Sequence, residues 1–177
     1  DYAQVLEHIP QAMHDLPDSK IDEAIDSFDG FYQYHWKNIA EYKDGFISVF
    51  LNIAQDSDRD ESCRISSLEI LEKMLNRDPY VRRYLNENIS DFLQVLSECF
   101  EINDLDDSVY NSASLLLQEY VKDTEANDFV AAQIGEGLQS LSIPVVSVFL
   151  RYILKVQFID QIEELAQQQD PVVSRNA

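Results

Sequence analysis

Glycine and proline are scarce in this chain of 177 residues, which contains four glycines and five prolines. All-β architectures need many turns rich in these residues, so their scarcity excludes such a fold. Long stretches of Leu, Glu, Gln and Ala favour helix, because these residues lose little conformational freedom in one. Since 45% of the residues are hydrophobic, a sizeable core is expected. We therefore predict an all-α fold.

Cysteines and long apolar runs are also rare. Cys63 and Cys99 are the two cysteines and do not form a C-x-x-C pair, which argues against a disulfide framework and a zinc knuckle. A reducing intracellular compartment fits this usage. Apolar runs stay below the roughly 18 residues that a membrane-spanning helix requires. We therefore expect a protein of the cytoplasm and nucleus that does not bind membranes.

Basic residues are few, with 13 Lys and Arg against 33 Asp and Glu, so the formal net charge is −20. A field of this sign repels the phosphates of nucleic acids and of anionic lipids, and it attracts basic partners. We therefore exclude direct nucleic-acid binding and expect protein partners with basic segments.

Motifs for catalysis and for metal binding are missing from the sequence. His8, His14 and His35 do not have the spacing of metal ligands, and no H-E-x-x-H motif occurs. No G-x-S-x-G motif occurs, and the four glycines do not form a phosphate-binding loop. We therefore expect no enzymatic activity, no metal site and no cofactor.

The chain does contain an internal repeat with an offset of 46 residues. The apolar stripe of Phe46, Val49, Phe50 and Ile53 recurs at 92–99, and the acidic turn at 58–62 recurs at 104–108. Each copy consists of a helical stripe (helix A), an acidic turn and a second stripe (helix B). Helix pairs that repeat every 40 to 47 residues are typical of HEAT and armadillo solenoids.

Apolar periodicity predicts helices at 2–15, 20–36, 39–54, 61–76, 80–102 and 108–122, with a bend near Glu87 and Asn88. Asp18 or Ser19 is the predicted N-cap of the second helix. Further helices are predicted at 129–141 and 143–165. We therefore expect a solenoid segment of three to four helix pairs at 1–166 and a disordered polar tail at 167–177. Because an apolar stripe begins at Val5 without a polar capping repeat, we expect a fragment of a longer solenoid.

A family resemblance adds to this pattern. Asp60–Glu69 resembles the B helix of a HEAT repeat, and Asp106–Ala113 keeps its acid, valine and alanine but has Tyr110 where arginine is usual. Together with Phe46–Leu51 and Pro79–Arg83, the order of segments over about residues 2–155 resembles the importin-β (karyopherin) family, particularly its importin-5-like and importin-4-like members. The resemblance implies a right-handed superhelix whose B helices line the concave side and bind cargo or a small GTPase.

Acidic residues of the first two B helices are the candidate partner-binding site. Stacked helices lie about 10 Å apart, so their carboxylates would form one negative surface that suits segments rich in lysine and arginine. A tryptophan beside them would stack on an arginine or on the stem of a lysine. The predicted partner-binding residues are Asp22, Glu23, Asp26, Asp29, Trp36, Glu61, Glu69 and Glu72. The structural alternative is a solvated acidic face, with Trp36 packed between repeats.

Two protein-binding hypotheses remain open from the sequence, beside a third, an enzyme with an all-helical fold, which a pocket with converging polar groups and shifted pKa values would favour. The first is a segment of a nuclear transport receptor that binds basic cargo, a Ran-type GTPase or both. The second is another HEAT or armadillo adaptor, such as a phosphatase scaffold, an assembly chaperone or a trafficking tether. The two differ in whether the partner must be basic.

Overall fold

All of the secondary structure in the described part of the chain is helical. The computed structural model describes residues 2–37, 39–100 and 108–122. Over these ranges the chain forms seven α-helices and no strand, which confirms the all-α prediction. The helices are α1 (Tyr2–His14), α2 (Asp18–His35), α3 (Lys43–Gln55), α4 (Glu61–Arg77), α5 (Pro79–Glu87), α6 (Ile89–Phe100) and α7 (Ser108–Tyr120). A short 3₁₀ helix, Ala40–Tyr42, precedes α3.

The six longer helices pack as two layers. In one layer α1 packs on α3 and α3 packs on α6, and in the other α2 packs on α4 and α4 packs on α7. Contacts of α3 with α4 and of α6 with α7 join the layers. Each helix of a layer thus contacts its counterpart one repeat further along the chain, which is compatible with a helical solenoid.

Several side-chain hydrogen bonds between neighbouring repeats join residues 44 to 46 positions apart, close to the sequence repeat of 46. Ser66 and Asp22 are 44 residues apart, Cys99 and Ala54 are 45 apart, and Tyr32 and Asp78 are 46 apart. A residue therefore meets the position about one repeat away, as stacked repeats require. The offset found in the sequence is therefore the separation along the chain at which residues of neighbouring repeats come into contact.

Aromatic side chains of the repeated stripes form much of the core. The ring of Phe28 lies 4.4 Å from that of Phe46 and 5.2 Å from that of Phe50, measured between centroids. The rings of Phe92 and Tyr120 make an edge-on contact at 5.0 Å. Both Phe46 and Phe92, its counterpart in the repeat, are buried, so the stripe faces inward in both copies.

The helix predicted at 80–102 is divided in two at Asn88, close to the predicted bend. Pro79 starts α5, and the Asp78 side chain accepts a hydrogen bond from the Tyr80 amide at 3.0 Å. Asn88 ends α5, because its side chain donates to the Tyr84 carbonyl at 2.9 Å and its backbone leaves the helical conformation. Asparagine side chains compete with helical hydrogen bonds in this way.

The predicted N-cap of α2 is wrong. Pro17 is the residue before the helix, and no side-chain hydrogen bond caps the first turn. The Asp18 carboxylate accepts instead from Arg59 Nη1 and from the Asp60 amide, both at 2.8 Å. The Asp18 carboxylate therefore binds the turn of the next repeat and does not cap α2.

The helices predicted at 129–141 and 143–165, and with them the fourth helix pair, lie outside the described residues. The same is true of the predicted polar tail at 167–177. No helix within the described ranges is long and apolar enough to cross a membrane.

Candidate functional site

The predicted partner-binding residues lie mainly on two adjacent helices, α2 and α4, which pack on each other. Four of the predicted carboxylates are exposed to solvent, and Glu72 is half-buried. The four exposed residues are Glu23, Asp26, Glu61 and Glu69. Lys20 pairs with Glu23 at 2.9 Å, one turn earlier on α2. The structure thus leaves four of the predicted carboxylates exposed on α2 and α4, and we call these four residues the acidic surface.

Asp22 and Asp29 do not belong to this surface, because both contact α4. Ser66 Oγ donates a hydrogen bond to Asp22 Oδ1 at 2.9 Å. Lys73 Nζ and Arg77 Nη1 contact the two oxygens of Asp29 at 2.9 and 3.2 Å, and the Asp29 side chain is only 14% exposed. Half of the predicted carboxylates of α2 therefore contact α4, and the charge of Asp29 is already balanced by two cations of the chain.

The Asp29 pair makes stability depend on pH. Burial raises the pKa of Asp29, but hydrogen bonding and attraction from Lys73 and Arg77 outweigh it, so this pKa lies below its ordinary value. A carboxyl with a lowered folded pKa stabilises the fold above its unfolded pKa of about 4, and this contribution is lost as the pH falls through the folded value.

We expect Asp29→Asn to lower the free energy of unfolding at pH 7 by less than about 1 kcal/mol, since the two cations are partly solvated. Urea denaturation from pH 7 to pH 3 should show the difference between the native chain and this variant shrinking below about pH 4. An Asp26→Asn variant is the control, because Asp26 is exposed. A difference for Asp29→Asn that is constant with pH would contradict the assignment.

Trp36 is half-buried at the end of α2, and two lysines of the chain itself lie over its ring. Lys43 Nζ lies 4.9 Å and Lys37 Nζ lies 5.2 Å from the indole centroid. These distances are within the range of cation–π attraction. An arginine of a partner would have to displace one of these lysines, so Trp36 serves the fold before it serves binding.

A buried polar cluster that the sequence did not predict lies behind Trp36. Lys43 and Asp78 are 3% and 2% exposed, and Lys43 Nζ donates to Asp78 Oδ2. The Tyr32 hydroxyl donates to the same oxygen at 3.0 Å, and Asp78 Oδ1 accepts from the Tyr80 amide. The cluster joins α2, α3 and the turn between α4 and α5. We call Tyr32, Lys43 and Asp78 the buried cluster.

Tyr32 of the buried cluster and the neighbouring Tyr80 act as hydrogen-bond donors at neutral pH. Burial, followed by the charge of Asp78 and the hydrogen bond to it, raises the pKa of Tyr32 far above its ordinary value. The hydrogen bond to Asp44, followed by burial, raises the pKa of Tyr80 to about 12. Asp78 accepts three hydrogen bonds from donors of the chain itself and is almost fully buried, so the cluster connects three parts of the fold below the surface.

The described part of the chain contains no metal site among its histidines, cysteines and carboxylates. No group of three or more His, Cys, Asp or Glu side chains there could hold a metal ion. Cys63 and Cys99 are buried, and burial, followed by the nearby carboxylates, raises the pKa of the Cys63 thiol. A buried thiol with a raised pKa is a poor nucleophile.

The chain matches no protein-family model, no curated protein and no solved structure. Its function is therefore inferred from the geometry and charge described above.

Proposed function

We propose that this chain is a protein-binding helical scaffold that binds basic segments of partner proteins at the acidic surface of α2 and α4. The observation that carries the proposal is the position of exposed carboxylates on two packed helices of a chain with a net charge of −20. Lysine and arginine side chains form strong charge-assisted hydrogen bonds with such carboxylates, and the long-range field accelerates their association.

Within this proposal, the scaffold is a segment of a nuclear transport receptor that resembles the importin-β family, a non-enzymatic protein of the cytoplasm and nucleus. The partners would be basic cargo segments and a Ran-type GTPase, bound on the side of a HEAT superhelix that α2, α4 and α7 line. The repeat offset of 46 residues, the packing of α2 on α4 and of α4 on α7, and the acidic surface support it.

A second candidate is a helical adaptor that recognises its partners without a preference for basic residues. It is favoured by Tyr34 of α2, whose side chain is 80% exposed, and by the neutralisation of Asp29 within the fold. Exposed aromatic side chains are common anchors in protein interfaces. The two candidates therefore differ in how strongly binding depends on salt.

Charge reversal on α2 distinguishes the two candidates. We expect Glu23→Lys with Asp26→Lys to weaken binding of a fluorescein-labelled, lysine-rich nuclear-localisation peptide by about tenfold or more, because two attractive contacts become repulsive. Fluorescence anisotropy at 50 and 300 mM salt measures the affinity. The control is Glu87→Lys with Asp91→Lys, which makes the same charge change at exposed positions of α5 and α6.

The control should change the affinity by less than about threefold, since it alters only the distant field. Equal effects of the two variants would contradict the acidic surface as the binding site. An absence of salt-dependent binding to the native chain would favour the adaptor. A Ran-type GTPase used as the second probe in the same assay tests the transport-receptor proposal directly.

A further inference from the structure

A glycine that the fold does not require lies in the interior of α2. Gly30 is exposed, and a Cβ atom added to it would meet nothing within 4 Å beyond the adjacent backbone of α2. Apart from proline, glycine is the least favourable residue in the interior of a helix, because it loses the most conformational freedom there. Gly30 thus leaves the helix backbone bare at a position where the fold has room for a side chain.

The bare turn lies between a carboxylate and an aromatic ring. Asp26 and Tyr34 stand four residues before and four residues after Gly30, so the three follow one another along one side of α2. Successive members are about 6 Å apart along the helix axis. Asp26 is exposed, and Tyr34 is 80% exposed. Since long side chains on a helix lean toward its N-terminus, the Tyr34 ring extends over the turn that contains Gly30. We call these three residues the Gly30 site.

Cations of the chain near this turn are paired with other carboxylates. Lys20 of α2 pairs with Glu23, and Lys73 of α4 pairs with Asp29, each at 2.9 Å. In the part of the chain that the structure describes, the Asp26 carboxylate makes no ion pair and the Tyr34 ring carries no cation. The carboxylate and the ring are therefore both accessible to a cation from another molecule.

A guanidinium group matches the Gly30 site better than an ammonium group does. The guanidinium is planar, so it stacks on the Tyr34 ring while its N–H groups donate to the Asp26 carboxylate. An ammonium group is a compact, strongly hydrated point charge that forms the ion pair but does not stack on a ring. A side chain at position 30 would fill the space between the carboxylate and the ring, and glycine leaves that space open.

We infer that the Gly30 site binds an arginine of the partner's basic segment and prefers arginine to lysine. The arginine side chain lies across the bare backbone of Gly30, with its guanidinium between Asp26 and Tyr34. The inference rests on the proposed function and specifies which basic residue this part of the acidic surface recognises. An acidic segment does not fit, because Asp26 and the net charge of −20 repel it.

The test uses the full chain and two fluorescein-labelled peptides of equal length and charge. The Arg peptide has arginines spaced by serines, and the Lys peptide has lysines at the same positions. Gly30→Gln covers the bare turn with an uncharged side chain, and Tyr34→Leu removes the ring but keeps an apolar group. Asn111→Gln introduces glutamine at an exposed position of α7 and is the control.

We expect the Arg peptide to bind the native chain about fivefold more tightly than the Lys peptide in fluorescence anisotropy, because stacking on Tyr34 adds to the ion pair. Gly30→Gln and Tyr34→Leu should each reduce this preference below about twofold and leave the affinity for the Lys peptide within about twofold of the native value. The control should change neither affinity.

Gly30→Gln should at the same time stabilise the fold. Glutamine favours helix more than glycine does, so the midpoint of thermal unfolding should rise by about 2 °C in circular dichroism. A variant that is more stable than the native chain but has lost the preference for arginine would show that the glycine serves binding. Loss of the preference could then not be attributed to unfolding.

Three results would overturn the inference. Equal affinity of the native chain for the two peptides, or a preference for arginine that either variant retains, would do so and would leave the proposed function intact. A Gly30→Gln variant that unfolds at a lower temperature than the native chain would show that the fold requires the glycine, which removes the premise. Failure of both peptides to bind would remove the proposed function together with the inference.

Discussion

Replacing Asp78 with asparagine should lower the free energy of unfolding by about 3 kcal/mol or more, because it leaves the buried Lys43 without its counter-charge. Asparagine has nearly the same size as aspartate, and its side-chain oxygen can still accept a hydrogen bond from Tyr32 or from the Tyr80 amide. The loss would therefore report mainly the missing negative charge. Trp36, at 4.9 Å from Lys43 Nζ, offsets only part of it.

The partner substitution, Lys43→Met, removes the cation and leaves the buried carboxylate. Asp78 keeps two donors, Tyr32 and the Tyr80 amide, so the expected loss is about 2 to 4 kcal/mol. The double variant removes both charges and leaves neither one uncompensated. We therefore expect it to be more stable than the sum of the two single losses predicts, by about 2 kcal/mol.

Urea denaturation followed by far-UV circular dichroism measures all three variants, since the fluorescence of Trp36 would itself respond to the loss of Lys43. The control is Lys73→Met, which removes the half-exposed cation that pairs with Asp29 and should cost less than about 1 kcal/mol. Single losses that add to the double loss within about 0.5 kcal/mol would show that Lys43 and Asp78 do not act as a pair.

The helices and the repeat were predictable because both follow from local patterns. The stripe containing Phe46 and Phe50 and its copy at Phe92 place apolar residues at helical spacing, and burial of those residues follows from the amphipathic pattern. The break at Asn88 was predictable for the same reason, since asparagine side chains compete with helical hydrogen bonds locally. None of these predictions requires knowledge of how one repeat sits on the next.

The partners of the carboxylates did require that knowledge. Asp22 and Asp29 are seven residues apart and share one side of α2, while Ser66 and Lys73 have the same spacing on α4. Both contacts join residues 44 apart, so one register of α2 against α4 satisfies both. The sequence offset of 46 was read from α3 and α6, so it differs by two residues from the offset of 44 between α2 and α4. A shift of two residues on a helix turns a side chain by about 200°. Sequence reasoning therefore left all four carboxylates of α2 on the outer surface.

The buried cluster escaped prediction for a related reason. Asp78 precedes Pro79, and that position alone indicates the end of a helix. Lys43 stands just before an apolar stripe and looks like a residue that reaches solvent. Their pairing depends on the turn after α4 folding over the start of α3, which is a contact over 35 residues. No local pattern carries that information.

Arg59 connects the turn between α3 and α4 to the turn between α1 and α2. We expect its loss to give the second largest decrease in the free energy of unfolding. Its guanidinium donates to the carbonyl of His14, the last residue of α1, to the carbonyl of Leu16 in the turn that follows, and to the carboxylate of Asp18 at the start of α2. Hydrogen bonding to Asp18, followed by burial and attraction to Asp18, sets the pKa of Arg59, and the net effect is to raise it. One side chain thus contacts the last carbonyl of α1, the turn after it and the first residue of α2.

We expect Arg59→Ala to lower the free energy of unfolding by about 2 to 3 kcal/mol, because the carbonyls of His14 and Leu16 and the Asp18 carboxylate lose a charged donor at once. Arg59→Lys should recover less than half of this loss, since an ammonium group lacks the planar arrangement of donors that reaches three acceptors together. Arg83→Ala is the control: the Arg83 side chain is exposed, and its guanidinium lies over Tyr80 at 4.9 Å.

Urea denaturation gives the three free energies, and hydrogen exchange of the α1 amides shows where the loss occurs. If the turns hold neighbouring repeats together, Arg59→Ala should increase exchange in α1 more than in α6, which Arg59 does not contact. Full recovery of stability with lysine would show that the charge alone matters, and a uniform increase in exchange would contradict a local connection.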